Sequence, residues 1–66
     1  MKVKINRLEF ELPQNCNLLQ ALEIYEVKTK IFAIAVNEKF IPKSHYSQTI
    51  INPFDTIDII VPMQGG

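Results

Sequence analysis

The stretch Lys2-Val3-Lys4-Ile5-Asn6-Arg7-Leu8-Glu9-Phe10-Glu11-Leu12 decides how this chain folds. Apolar and polar residues alternate on both sides of Asn6-Arg7, and a period of two is the signature of a strand with one buried face. A two-residue loop at Asn6-Arg7 pairs Ile5 with Leu8, Lys4 with Glu9, Val3 with Phe10 and Lys2 with Glu11. In that register one face is wholly apolar and the other sets opposite charges across from each other, each exposed pair contributing from a few tenths to about 1 kcal/mol. A slip of one residue would turn the apolar set to water, so burial holds the register.

Downstream, Pro13 closes the second strand and residues 14–17 make a loop. Asn17 suits a helix N-cap, because its side-chain oxygen can accept an orphan backbone N–H of the first turn. Gln20, three residues on, forms a capping box with it. Leu18, Ala21, Leu22 and Tyr25 recur at helical spacing with Gln20, Glu23 and Glu26 opposite, which predicts a helix over 18–26. A helix of that length does not hold alone, so it must dock on the sheet. The run Phe32 to Val36 reads as a buried central strand, turned by Asn37-Glu38-Lys39 into a short strand at Phe40-Ile41 that Pro42 stops. Residues 43–51 read as irregular, anchored by Tyr46 and Ile50. Asn52-Pro53-Phe54-Asp55 is a turn with proline in its second position. Ile57, Ile59 and Val61 then alternate with Asp58 and Ile60 in a last strand ended by Pro62. The expected organisation is a domain over 1–62 and a flexible tail of Met63, Gln64, Gly65 and Gly66.

The fold class expected from this order is α+β: a mixed sheet of four to five strands with one main helix on one face, the β-grasp arrangement. The last strand would lie parallel to the first in the middle of the sheet.

Sixty-six residues allow one small domain, which buries only about 60% of the surface its unfolded chain exposes. That leaves little room for a cavity ringed by catalytic groups, so a carrier or binding role is expected rather than an enzyme. Seven Lys+Arg balance seven Asp+Glu, and without a basic excess there is no counterion release to drive nucleic-acid binding. The longest apolar run, Ile31 to Val36, is far short of the roughly 20 residues that span a bilayer. Met1-Lys2-Val3-Lys4 lacks the apolar core of a signal peptide, and the single cysteine, Cys16, has no internal disulfide partner. The expected location is cytoplasmic, with no membrane or nucleic-acid partner and a monomer when free.

Few side chains offer chemistry. Cys16 and His45 lie far apart in sequence with no second ligand at metal spacing, so no metal site is expected. Ser44, His45 and Ser47 share one irregular loop with no orienting carboxylate. Glu9 and Glu11 sit on the charged outer face opposite lysines, as a solvated surface. The only two glycines, Gly65 and Gly66, end the chain beyond a proline-closed strand, so no phosphate loop exists. A frayed terminus is the plain reading of such an end. The chemical reading is more specific. Glycine lacks Cβ, so this backbone can thread a narrow channel and leave its last carboxyl carbon open to attack. A carboxylate is a poor electrophile and its adenylate a good one, so the tail suits activation by a separate enzyme supplying ATP and Mg²⁺.

Four segments carry a resemblance: Asn37-Glu38-Lys39-Phe40-Ile41-Pro42-Lys43, Tyr46-Ser47-Gln48-Thr49, Asp55-Thr56-Ile57-Asp58-Ile59-Ile60, and Met63-Gln64-Gly65-Gly66. In order and spacing the chain resembles, over essentially its whole length, the ubiquitin-like sulfur carriers, most closely the ThiS-type carriers of thiamine (thiazole) biosynthesis. It departs from the family pattern in having Lys43 where arginine is usual, which loses a planar donor fork. It also has Pro53-Phe54-Asp55 where a glycine-containing turn is usual. The resemblance implies that Gly66 is adenylated by a partner of the ubiquitin-activating type. Sulfur drawn from cysteine by a desulfurase then replaces AMP, and the thiocarboxylate serves thiazole synthase. It implies no bound cofactor and no catalytic residue in this chain. Gly65 would give access, and Met63 and Gln64 would contact partner channels.

If Phe32, Ile34 and Val36 face the helix, then Ala33, Ala35 and Ile60 share the opposite face as a possible docking surface. Two further readings stay open. One is a carrier for another sulfur pathway, molybdopterin or tRNA thiolation, with the same chemistry at Gly66. The other is a ubiquitin-like binding module with an inert tail.

Overall fold

The structure, a computed structural model, describes residues 1–26 and 33–61. The expectations for Phe32, Pro62 and the tail 63–66 lie outside the described residues.

Strands β1 (Lys2–Ile5) and β2 (Leu8–Glu11) form the hairpin in the expected register, Lys2 opposite Glu11 through Ile5 opposite Leu8. Asn6 and Arg7 both take left-handed backbone angles, φ 52° and 70°. A two-residue loop with positive φ at both positions matches the right-handed twist of the strands it joins. The face assignment holds for Val3 and Ile5, which are buried, while Phe10 is half-buried and Leu8 is 68% exposed. Leu8 therefore corrects the expectation of a wholly buried apolar face. Its strand is the sheet edge, and an eight-residue helix about 12 Å long and about 10 Å across cannot cover five strands spaced about 4.8 Å apart.

A short strand, β3 (Cys16–Asn17), leads into α1 (Leu18–Tyr25). The capping box forms: Asn17 Oδ1 accepts from Gln20 N at 2.8 Å and Gln20 Oε1 accepts from Asn17 N at 3.0 Å. Glu26 ends the helix in the left-handed region, its N–H donating to the Leu22 carbonyl. Leu18 and Ala21 are buried in the core and Leu22 and Tyr25 pack against it. The Tyr25 ring meets Phe10 edge-to-face with centroids 5.3 Å apart, tying helix to hairpin.

Strands β4 (Ala33–Val36) and β5 (Lys39–Ile41) form a second hairpin about Asn37 and Glu38, again with positive φ at both turn residues. Residues 43–51, expected to be irregular, instead form a 3-10 helix (Lys43–Gln48) and strand β6 (Ile50–Ile51). The 3-10 helix buries Tyr46 as expected. The second anchor is Ile51 and not Ile50, which is 58% exposed. The reason is that β6 pairs with β3, Cys16 opposite Ile51, and this turns Ile51 inward beside the buried Cys16.

The last strand, β7 (Thr56–Ile60), runs parallel to β1 and antiparallel to β4, giving the order β2-β1-β7-β4-β5 in a mixed five-stranded sheet. This is the β-grasp topology. Ile57 and Ile59 face the core; Val61 lies past the strand end and is exposed, against the expectation that it would continue the buried set. The core joins Val3, Ile5, Leu18, Ile34, Ile51 and Ile57 between sheet and helix.

Candidate functional site

The end of β7 and the outer face of the sheet are where the sequence-derived site residues can be placed. Strand β4 alternates as expected, with Ile34 and Val36 buried and Ala33 and Ala35 half-buried on the other face. Ala33 sits opposite Ile60 and Ala35 opposite Asp58 on β7, while Ala35 faces Phe40 on β5. The structure thus brings Ala33, Ala35 and Ile60 together. It adds Phe40, 62% exposed, which sequence reading missed. The signal was present: Ile41 turns inward on a period of two, so its neighbour must turn out. The other half of this face is charged, with Lys2 and Lys4 across from Glu11 and Glu9. The sheet therefore presents a small apolar patch on this face, shared by β4, β5 and β7. Met63, Gln64, Gly65 and Gly66 themselves lie outside the described residues.

Strand β7 is seated by three side chains that sequence reading did not connect. Asn37, in the β4–β5 turn, donates from Nδ2 to Asp55 Oδ1 at 2.9 Å and accepts at Oδ1 from Thr56 N at 2.9 Å. The other carboxylate oxygen of Asp55 accepts from Asn52 N at 2.8 Å. From the opposite flank, Asn6 Oδ1 accepts from Ile59 N at 2.8 Å. Buried polar groups need such partners, and buried Asp55 has them on both oxygens. Both asparagines sit where φ is positive, which asparagine tolerates better than most residues.

The Asn52–Asp55 turn keeps its form despite lacking glycine. Phe54 holds φ at 68°, Asp55 N donates to the Asn52 carbonyl at 3.1 Å, and the Phe54 ring is 82% exposed. Lys43 is the exposed first residue of the 3-10 helix.

The remaining candidates do not assemble into a centre. Cys16 is buried under β6, its Sγ 3.4 Å from the Asn17 carbonyl oxygen, and burial pushes the thiol pKa up, away from the reactive thiolate. Burial likewise raises the Tyr46 hydroxyl pKa. His45 is exposed in the 3-10 helix, and its carbonyl accepts the Thr49 hydroxyl at 2.8 Å. Among the described residues no cluster of three or more His, Cys, Asp or Glu could hold a metal ion, and no helix is long and apolar enough to cross a membrane.

Comparison with known proteins decides the family, because the ThiS family model matches residues 2–66. The chain belongs to the ThiS family. It is a ThiS-like sulfur carrier with a ubiquitin-like fold, of the class that serves thiamine biosynthesis. Its fold is also that of the crystal structure of the thiamine biosynthesis protein ThiS from Geobacter metallireducens. The two superpose with a TM-score of 0.81 at 14% identity, over 100% of each chain. No curated protein matches the chain by sequence. A ThiS-family chain is a small sulfur carrier.

Proposed function

We propose that the working group of this carrier is the carboxylate of Gly66. It attacks the α-phosphorus of ATP on a ubiquitin-activating-type adenylyltransferase. The new C–O–P linkage forms as pyrophosphate leaves, with Mg²⁺ bound to the nucleotide on the partner. A desulfurase takes sulfur from cysteine as a persulfide, leaving alanine, and the terminal persulfide sulfur attacks the acyl carbon. The C–O bond to AMP breaks, AMP leaves with the electron pair and one proton is released. A thiol reductant then cleaves the S–S bond of this acyl disulfide, forming a new disulfide and freeing the tail as a thiocarboxylate. Ionised at neutral pH and soft, that sulfur is the nucleophile delivered to thiazole synthase. No cofactor stays bound to the carrier.

One observation carries this reading: the family match extends to residue 66 and so takes in the Gly65-Gly66 end. Gly65, without a side chain, lets the backbone pass a narrow channel, while Met63 and Gln64 contact its walls. Ala33, Ala35 and Ile60, joined by Phe40, form the docking face. Such a contact is small and transient because the carrier leaves each partner in turn.

The test is intact mass after incubation with ATP, Mg²⁺, a ThiS-activating adenylyltransferase and sodium sulfide. The expected product has one oxygen replaced by sulfur, located at Gly66 by fragmentation. Deleting Gly66 is expected to abolish loading and leave the melting curve unchanged. An unmodified mass under conditions that load a control carrier would instead make the chain an inert ubiquitin-like module. Growth of a thiamine-requiring strain on this gene separates thiazole formation from molybdopterin or tRNA thiolation.

A further inference from the structure

The parallel pairing of β1 with β7 is short. It registers Lys4 opposite Thr56 and Ile5 opposite Ile57, and then β1 ends. At Asn6 the chain turns back at φ 52°, after its backbone N–H has donated to the Ile57 carbonyl at 2.9 Å. The next inward N–H on β7 belongs to Ile59, a buried residue with no β1 backbone left to meet it. The Asn6 side chain fills the gap: Oδ1 accepts from Ile59 N at 2.8 Å, across 53 residues of sequence. On the other flank β4 reaches as far as Ile60 through Ala33. Among the described residues, the end of β7 is therefore held on one side by a strand and on the other by a single amide side chain.

We propose that Asn6 is a positioning residue for the carboxyl terminus, its hydrogen bond to Ile59 aiming the end of β7 and the tail beyond it. The proposal rests on the reading that Gly66 is activated by a partner. The residue type fits the task. Asparagine accepts a left-handed backbone and carries its acceptor close to the main chain, so it can turn the hairpin and add one rung to the ladder at once. Gly66 lies seven residues beyond Ile59. Held extended in a partner's channel, this stretch reaches at most about 25 Å, so a change of about 10° in the heading of β7 moves the carboxyl carbon by about 4 Å. Reactions between held groups are sensitive to displacements much smaller than that.

Two variants separate aim from stability. Asn6→Gly keeps the positive φ and removes only the acceptor; Asn6→Asp keeps the acceptor. In the free protein, Asn6→Gly is expected to lose amide-exchange protection at Ile59 and to reduce the residual dipolar couplings of Ile60 and Val61, with Asn6→Asp restoring both. In ATP–pyrophosphate exchange with a ThiS-activating adenylyltransferase the carrier is the substrate. Loss of folded protein would raise its apparent KM and leave kcat alone. Loss of aim leaves docking intact and lowers kcat, by about three- to tenfold for one hydrogen bond. Asn6→Asp is expected to recover kcat. Unchanged Ile59 protection, an unchanged kcat, or a change confined to KM, each with an active wild type, would overturn the positioning role alone. A wild type inactive in exchange beside an active control carrier would overturn the activation reading and this role together.

Discussion

Removing the Asp55 carboxylate tests how β7 is seated. Asp55 is buried, and its two oxygens accept from Asn37 Nδ2 at 2.9 Å and from Asn52 N at 2.8 Å. Hydrogen bonds to a charged acceptor contribute about 1.5–3 kcal/mol each, so Asp55→Ala is expected to cost about 3 kcal/mol at the lower bound. A small domain has about 5 kcal/mol in total. With a urea dependence of about 1 kcal/mol per molar, the midpoint falls by about 3 M. Asp55→Asn keeps one acceptor and sets an N–H against a donor, so its midpoint should lie between wild type and alanine. Equilibrium urea unfolding followed by circular dichroism reads all three. A double-mutant cycle with Asn37→Ala should show coupling of about 1–2 kcal/mol. A midpoint shift below about 0.5 M for Asp55→Ala, or strict additivity with Asn37→Ala, would refute the claim that this network locks the β4–β5 turn to the start of β7.

Three further outcomes are expected. Phe10→Ala is expected to cost about 2–3 kcal/mol, less than for a fully buried ring, with coupling of about 0.5–1.5 kcal/mol to Tyr25→Leu in a double-mutant cycle; zero coupling would mean the edge-to-face pair adds nothing. Phe54→Gly relieves a bulky residue held at φ 68° and is expected to raise stability by about 1 kcal/mol in thermal or urea unfolding; a loss would show that the exposed ring has a contact of its own. Because burial raises the folded-state pKa of Cys16, stability is fully present below the ordinary thiol value of about 8.5 and falls as pH rises through the higher folded value, the unfolded chain losing its proton first. Unfolding midpoints between neutral and alkaline pH should show that fall, and Cys16→Ala should remove the part that begins near the thiol value.

The features legible from sequence were the local ones. The Lys2–Glu11 register follows from alternation across one turn, and the Asn17–Gln20 capping box from two residues three apart. The shared outer face of Ala33, Ala35 and Ile60 follows from pleating once the strands are named. The Gly65-Gly66 pair is read from composition alone, the two being the only glycines in the sequence, and it lies outside the described residues. Misassigned positions were those whose environment depends on a distant partner. Leu8 carries the right period but lies on an edge strand beyond the reach of an eight-residue helix. Ile50 and Ile51 are equally apolar, and only pairing with Cys16 selects which turns inward.

Sequence alone determined the alternation, the caps and the turn residues, because these depend on neighbours within a few residues or on side-chain type itself. The tertiary structure decided what holds β7: Asn37 and Asp55 meet across 18 residues, and Asn6 and Ile59 across 53. No period in the chain encodes such contacts. They exist because a buried backbone N–H must find an acceptor, and only the assembled sheet determines which side chain stands beside it.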